Sequence, residues 1–202
     1  MSPPLSLQNE KILVFYLVFT TSERISVQHH SGKFNWRHQR TVESIFHHHP
    51  TAKVNIYSNT LPQGLFNVFT EAGYFIRVQK YKLESLLKGT IAEGFIRKLD
   101  MARRGPFWYT NESNLLRIFL LYLFGGIYMD TDIIVVRPLH SLTNNSIGWQ
   151  DRGSVNLNGA FLKFERGNAF LEACIKEFVP MYNGNVWGSS YGLYKGVSRG
   201  GL

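Results

Sequence analysis

The strongest constraint on the fold is the run from Leu115 to Phe124, which is apolar at every position except Arg117. A helix that is hydrophobic on all sides is buried, so this run predicts a helix in the middle of the core. Gly125-Gly126 follows, and glycine suits the left-handed cap and tight turn that end such a helix. Ile127–Met129 then predicts a short buried strand.

The remainder of the chain alternates between short β-rich runs and segments with helical spacing. The predicted elements before residue 80 are strands at Ile12–Thr20, Lys53–Ser58 and Tyr74–Val78, with helices at Arg37–His48 and Leu65–Ala72. Residues 82–104 are typical of mixed helical structure; a strand at Leu157–Phe164 and a helix at Asn168–Met181 follow. This order predicts an α/β fold with a parallel sheet and crossover helices. Residues 1–10 predict a disordered N-terminus, and 11–202 a single domain.

Charge favours an anionic partner. The net charge is +8, from 22 basic and 14 acidic residues, which suits nucleotide diphosphates, acidic lipid surfaces with peripheral membrane contact, or nucleic acid. The basic residues are scattered rather than arranged in blocks, so we expect no nucleic-acid partner. Ile12–Phe19 is too short to span a bilayer and has no small-residue cleavage site after it. No anchor or signal is visible in the chain.

Arg117 and the acids after the predicted strand are the candidates for chemistry. A buried guanidinium must meet an anion, either a nearby acid in a structural salt bridge or a metal-binding carboxylate or bound phosphate. Asp130 and Asp132 follow Met129, and Ile133–Val136 is again strand-like. At a period of two, both carboxylates point to the same side of a strand. Their mutual repulsion favours a divalent cation, and Mg²⁺ or Mn²⁺ would also accept phosphate oxygens.

The sequence around these residues resembles a known family. The runs Ser113–Arg117 and Tyr122–Asp132 are similar to the D-x-D sugar-binding region of the α1,4-glycosyltransferases. This family includes proteins like lactosylceramide α1,4-galactosyltransferase and is related to the initiating α-mannosyltransferases. The resemblance continues through further short segments, namely Leu157–Ala160, Phe164-Glu165, Phe170-Leu171, Asn183–Asn185 and Trp187-Gly188.

The resemblance implies a GT-A nucleotide-diphospho-sugar transferase fold, a mostly parallel sheet with flanking helices. The donor-binding core would cover about 11–140 and the acceptor-side region about 141–202. It also implies a retaining hexosyltransferase that uses Mn²⁺ (or Mg²⁺) and a UDP-sugar. The hexose would be galactose or N-acetylglucosamine and the acceptor a glycolipid or glycan, in the Golgi lumen or at its membrane.

The resemblance also assigns roles to single residues. Asp130 and Asp132 would bind the metal and the donor, with Asp132 as the direct ligand. Arg117 and Asn114 would face the donor sugar or its phosphates, although many relatives carry Asp at the position of Asn114. Asn158 would line the pocket near the reacting carbon.

Two points leave alternatives open. Relatives continue after Trp187-Gly188 with His or Tyr, Asn, Gly and Pro, whereas this chain has Ser189–Gly192 and lacks the histidine that would be a third metal ligand. We therefore expect a truncated or divergent C-terminal part, and a catalytically inactive nucleotide-sugar-binding relative is one alternative. A mannosyltransferase using GDP-mannose and a metal-dependent phosphohydrolase are the others.

The mechanism is the second open point. Asp151 and Glu165 are the acids near the pocket-lining strand, and we interpret both as solvated or structural. This favours a front-face substitution, in which the leaving phosphate helps to deprotonate the acceptor.

Several motifs carry weaker predictions. His47–His49 predicts a solvated helix end, because adjacent histidines on a helix point in different directions. Asn111 and Asn144 begin N-x-S glycosylation motifs, and we expect the first not to be used. Four aromatic residues could stack on a sugar or base, but core packing is the favoured interpretation for each: Trp108, Tyr109, Trp149 and Trp187.

Overall fold

The computed structural model describes residues 12–20, 34–151 and 157–186. The predicted disorder of residues 1–10 and the departure at Ser189–Gly192 lie outside these ranges. Six strands are described in them: β1 (Val14–Val18), β2 (Lys53–Tyr57), β3 (Phe75–Gln79), β4 (Gly126–Met129), β5 (Ser146–Trp149) and β6 (Leu157–Phe164). The helices are α1 (Trp36–His48), α2 (Asn67–Glu71), α3 (Leu83–Leu87), α4 (Leu99–Ala102), α5 (Trp108–Phe124) and α6 (Ala169–Met181), with 3₁₀ turns at Gln63–Phe66 and Glu93–Lys98.

The strands form one mixed sheet in the order β3-β2-β1-β4-β6-β5. The first four are parallel to one another, which confirms the α/β prediction. β6 runs antiparallel to β4, and β5 antiparallel to β6. The sequence analysis missed β5, a strand at the sheet edge, because four residues with a glycine among them are too few for the alternation in Ser-Ile-Gly-Trp to indicate a strand.

Helices cover both faces of the sheet, so the parallel strands are buried on both sides. On one face α5 and α6 pack over the sheet in a core that includes Leu115, Phe119 and Leu162. On the other face α1 packs through Val42 and Ile45 in a second core. The run predicted as a buried helix is therefore the centre of the larger core, and the helix begins earlier, at Trp108.

The Gly-Gly turn sends the chain from α5 directly into β4. Gly125 has φ 66° and Gly126 has φ 111°, both in the region that favours glycine. A Cβ atom on Gly125 would lie 2.7 Å from the amide nitrogen of Arg166, and one on Gly126 would lie 2.7 Å from the carbonyl oxygen of Val14. A side chain at Gly126 would therefore separate β4 from β1, and one at Gly125 would displace the backbone that follows β6. This turn thus fixes the position of β4 and of the residues after it.

Ile133–Val136 is not a strand, which corrects the prediction made from its β-branched residues. The chain turns after Met129 and runs over α1, whose polar side chains replace the hydrogen bonds of a neighbouring strand. Three contacts hold it: Thr41 Oγ donates to the carbonyl of Thr131 (2.7 Å), the amide of Val135 donates to Ser44 Oγ (3.0 Å), and the amide of Leu139 donates to His49 Nε2 (3.1 Å). The prediction of a solvated helix end is wrong for His49, which is 2% exposed.

Candidate active site

A cleft of about 360 Å³ opens where β1 and β4 end. β1 contributes Val18 and the two residues after it, and β4 contributes the turn Asp130–Asp132. The sheet order reverses between these two strands, since β2 and β3 lie on one side of β1 and β4 lies on the other. In open α/β sheets such a switch point is where ligands bind. Helix α5 closes a further wall with Thr110, Ser113 and Arg117.

Asp130 is held in place by two buried groups. The Arg117 guanidinium lies 3.2 Å from Asp130 Oδ1, and the Tyr128 hydroxyl donates to the same oxygen at 2.6 Å. The guanidinium also lies over the Tyr128 ring, 5.0 Å from its centroid. Complete burial raises the pKa of Tyr128 well above its ordinary value, so the hydroxyl is a donor at every physiological pH. The predicted anion for Arg117 is therefore the carboxylate that the sequence analysis assigned to metal binding.

Asp132 lies in different surroundings. It belongs to the turn after β4 and is exposed. The period-two argument for the two carboxylates is wrong because Asp132 does not lie in a strand. Both nevertheless line the same cleft, because the turn brings the chain back over its mouth. The bond from Thr41 Oγ to the Thr131 carbonyl fixes the peptide between the two acids.

The acids present allow a shared metal site. Within residues 12–20, 34–151 and 157–186 there is no group of three or more His, Cys, Asp and Glu side chains that could hold a metal ion. Two carboxylates alone suit Mg²⁺ or Mn²⁺ when phosphate oxygens and water complete the coordination, which is how Mg²⁺ is commonly bound with substrate phosphates. The residues of the cleft therefore fit a metal that arrives with a diphosphate.

Asn114 is on the same side of α5 as Thr110 and Arg117, but it is not among the described residues that line the cleft. It stands four residues after Thr110 and three before Arg117, so the three share one helical face. Asn114 is buried, and its Nδ2 makes no hydrogen bond to any residue that the structure describes. A buried donor without an acceptor is costly, so a ligand oxygen is a natural partner for it.

The sequence matches the family described as "Glycosyltransferase sugar-binding region containing DXD motif" over residues 35–153. The chain belongs to this glycosyltransferase family. It is 37% identical over 155 residues to lactosylceramide 4-alpha-galactosyltransferase of Homo sapiens, covering 73% of this chain and 43% of that protein. It is 35% identical over 82 residues to the human alpha-1,4-N-acetylglucosaminyltransferase, covering 41% of this chain and 23% of that protein. The chain thus spans less than half the length of these two relatives.

Solved structures of other glycosyltransferases share the fold. The PaToxG glycosyltransferase matches with a TM-score of 0.61 at 16% identity, over 93% of this chain and 66% of that one. The apo form of the glycosyltransferase GlyE of Streptococcus pneumoniae matches with a TM-score of 0.55 at 11% identity, over 94% of this chain and 44% of that one. At these identities the likeness shows a GT-A-like fold, which confirms the predicted architecture.

Asn158 lies apart from the described lining of the cleft. Its Nδ2 donates to Gln150 Oε1 at 2.9 Å, and its Oδ1 accepts from the amide of Ala160 at 2.7 Å. It therefore stiffens the end of the β5–β6 hairpin. Its role beside the reacting carbon stays a prediction, since residues 152–156, which adjoin it, lie outside the described ranges.

The two acids considered as nucleophiles differ in position. Glu165 follows Phe164, which pairs with Gly126 at the start of β4, whereas the cleft lies at the end of β4. Its carboxylate accepts from Asn144 Nδ2 at 2.8 Å. Asp151 is exposed at the hairpin tip. Among the described residues of the cleft lining, Asp130 and Asp132 are the carboxylates.

The aromatic residues and glycosylation motifs have mixed outcomes. Trp108 is buried as predicted, but Trp149 is 63% exposed, so core packing is wrong for it. Tyr109 lines the cleft, and its carbonyl accepts from Thr20 Oγ at 3.0 Å. Asn111 is completely buried, which agrees with the expectation that it is not glycosylated. Trp187 lies outside the described residues.

Three groups at the site were missed from sequence: Tyr128, Thr41 and His38. Tyr128 stands two residues before Asp130, so the period of a strand could have placed it on the same side. Thr41 and His38 come from α1, distant in sequence. The one local signal for His38 is its place three residues after Asn35, at the start of a predicted helix.

Proposed function

We propose that this chain is a retaining glycosyltransferase domain, with a donor-binding core at about 11–140 and an acceptor-side region at about 141–202. It transfers a hexose, galactose or N-acetylglucosamine, from a UDP-sugar to a glycolipid or glycan acceptor, with Mn²⁺ (or Mg²⁺) shared between protein and diphosphate. The observation that carries the proposal is the pair Asp130 and Asp132 at the switch point of the sheet, with Arg117 bound to the first of them. This pair can hold a cation and its diphosphate where β1 and β4 end.

Asp130, Asp132 and Asn114 are proposed to contribute to donor binding in different ways. Asp132, exposed in the turn, is the direct ligand in the proposal. Asp130 is oriented by Arg117 and Tyr128, so its second oxygen keeps a fixed direction toward the cleft. Asn114 offers a buried amide hydrogen to the donor. When bound, the metal would neutralise the negative charge that develops on the leaving diphosphate.

Retention of configuration is proposed to follow a front-face course. A double displacement needs a carboxylate below the anomeric carbon, in addition to those engaged with the metal. In the described part of the cleft lining, both carboxylates, Asp130 and Asp132, are assigned to the metal and donor. The leaving phosphate oxygen is then the base that accepts the proton of the attacking acceptor hydroxyl.

The acceptor side is proposed to lie at the tip of the β5–β6 hairpin. The amide of Asp130 donates to the carbonyl of Ala160 at 2.8 Å, so the residues of β6 before Ala160 extend past the cleft end of β4. Trp149 there is 63% exposed, and the amide pair of Gln150 and Asn158 lies beside it in the ladder. An exposed indole with neighbouring amides suits the apolar face and hydroxyls of a sugar ring.

The names of the relatives support a glycolipid or glycan acceptor, which we carry to this chain as a proposal together with a location in the Golgi. The name of one relative specifies lactosylceramide and galactose, and the name of the other specifies N-acetylglucosamine. Among the helices of the described ranges, none has the length and apolar composition to cross a bilayer.

A donor screen tests the proposal. The protein is incubated with Mn²⁺ and each of UDP-galactose, UDP-N-acetylglucosamine, UDP-glucose and GDP-mannose, and nucleotide release is measured with and without lactosylceramide. We expect release of UDP from one of the first two donors, and loss of that release when Asp130 and Asp132 are both changed to asparagine. Nucleotide binding without release would support the inactive relative, and release from GDP-mannose alone would support the mannosyltransferase.

A further inference from the structure

His38 lines the cleft from α1, whereas Asp130 and Asp132 line it from the turn after β4. It occupies the third position of the helix and lines the cleft together with Asp132. The amide of Asn35 donates to His38 Nδ1 at 3.0 Å, and the Asn35 side chain accepts from the start of the helix in return. This reciprocal cap anchors one side of the imidazole to the backbone.

The rings of two phenylalanines fix the plane of the imidazole. Phe34 stacks on it with the centroids 5.1 Å apart, and Phe19 meets it edge-on at 5.2 Å. With Nδ1 bonded and both neighbours packed, the ring has one orientation, and its remaining polar atom is Nε2. Nε2 makes no hydrogen bond to any residue in the described ranges.

The cap also decides which nitrogen carries the proton. A neutral imidazole has one donor and one acceptor nitrogen, and Nδ1 of His38 is the acceptor here. Nε2 is therefore an N–H donor. Burial lowers the pKa of His38, with the charge of Asp132 acting in the opposite direction, which agrees with the neutral ring that the bond from the Asn35 amide requires.

An Nε2–H group can bind an anion but cannot ligate a cation, because ligation needs the free lone pair. The histidine that relatives carry near the C-terminus would bind the metal. His38 could be taken for its replacement in this chain, but the proton on Nε2 gives His38 a different role. We propose that His38 donates a hydrogen bond from Nε2 to a phosphate oxygen of the sugar-nucleotide diphosphate, in the cleft that Arg117 also lines, and does not bind the metal. This inference rests on the proposed function of the cleft.

The test uses the variant His38→Asn. Its amide oxygen can still accept from the Asn35 amide, while nothing replaces Nε2–H. The dissociation constants of UDP and of uridine are measured by calorimetry in Mn²⁺, and that of Mn²⁺ without nucleotide by electron paramagnetic resonance. We expect about tenfold weaker binding of UDP, since a hydrogen bond to a charged group is lost. We expect no change for uridine or for Mn²⁺.

His47→Asn is the matched control, because His47 lies on the same helix but is exposed and outside the cleft lining. It should leave all the constants unchanged. If His38→Asn lowers the melting temperature, His38→Gln replaces it, since glutamine at this position also closes the cap.

Three results would overturn the inference about His38. Unchanged UDP affinity would leave it with a structural role alone. Weaker Mn²⁺ binding without nucleotide would make it a metal ligand, and equal weakening of uridine would move its contact away from the phosphates. If the unmodified protein does not bind UDP in Mn²⁺, the proposed function fails together with the inference, and this outcome is separate from the other three.

Discussion

Asp130 and Asp132 are separated by one residue, yet they lie in opposite surroundings. Asp130 accepts from Tyr128, which lies in the larger core, and from Arg117, which is buried on α5. Asp132 is exposed in a turn that is tied to the opposite face of the sheet through Thr41. One half of the site is therefore built before any ligand arrives, and the other half stays open to exchange.

This contrast explains how a site can be both ordered and reversible. A carboxylate held by fixed donors loses little entropy when it binds a cation, so it orients the ligand. A carboxylate that faces water keeps its own hydration until a cation replaces it. We expect the fixed aspartate to affect stability as well as binding, and the open aspartate to affect binding alone.

The largest effect should come from Asp132→Asn. We expect Mn²⁺-dependent UDP affinity to fall by at least about 100-fold, the upper end of what loss of a supporting partner costs. The free energy of unfolding should change by less than about 0.5 kcal/mol, because the side chain is exposed. Calorimetry and urea denaturation measure the two quantities.

Asp130→Asn is the companion variant. It should weaken UDP binding to a similar degree and also lower the free energy of unfolding by about 2 kcal/mol, since Arg117 would lose its charged partner. Equal stability of the two variants would contradict the distinction between a fixed and an open aspartate.

Acid should loosen the α1 side of the site through His49. Burial and, after it, charge repulsion from His140 lower the pKa of His49 from 6.5 to about 4. Because the folded protein disfavours the protonated ring, this stability is complete above pH 6.5 and is lost progressively as the pH falls toward 4. We expect a loss of about 2–3 kcal/mol over that window, measured by urea denaturation.

His49→Gln can still accept from the Leu139 amide and should flatten this pH dependence. His47→Gln, at the exposed position on the same helix, should not. An identical slope in the unmodified protein and in His49→Gln would show that other groups cause the acid sensitivity.

Tyr128→Phe removes the hydroxyl from Asp130 without changing the core. We expect a cost of about 1 kcal/mol in the free energy of unfolding. A double-mutant cycle should show coupling with Asp130→Asn and simple additivity with Asp132→Asn. Coupling to both aspartates would mean that the two halves of the site are not independent.

The smallest effect is expected for Thr41→Val, which removes the bond to the carbonyl between the two aspartates. UDP affinity in Mn²⁺ should fall by about threefold, with a loss of about 1 kcal/mol in stability. Thr70→Val is the control, since Thr70 also donates to a carbonyl, that of Asn67, but at an exposed position. If both variants bind UDP equally well, the turn does not depend on α1.

Local patterns were sufficient for the part of the fold that the core determines. The buried helix, the Gly-Gly turn and β4 follow one another in the sequence, and each has its own period or backbone requirement. The burial of Arg117 was enough to predict that it binds an anion, but not to predict which anion.

Contacts between distant segments could not be read in this way. Ile133–Val136 has the composition of a strand, but β propensity describes fit to a neighbouring strand, and here α1 supplies the partner groups. For the same reason Thr41 and His49 gave no signal, because each binds a segment about 90 residues away. His38 had only the local signal of the helix cap, which did not show that it faces Asp132.

Complete burial of Asn111 leaves Asn144-Asn145-Ser146 as the reachable N-x-S motif. Asn144 contacts Glu165, near the start of β4, whereas the donor cleft opens past the end of that strand. If the chain is made in a secretory compartment, an oligosaccharide attached at Asn144 would project from the rear of the molecule and leave substrate access clear. If Asn144 carries an N-linked glycan, digestion with an amidase that removes such glycans will change the mobility of the protein on a gel. The variant Asn144→Gln will show no change.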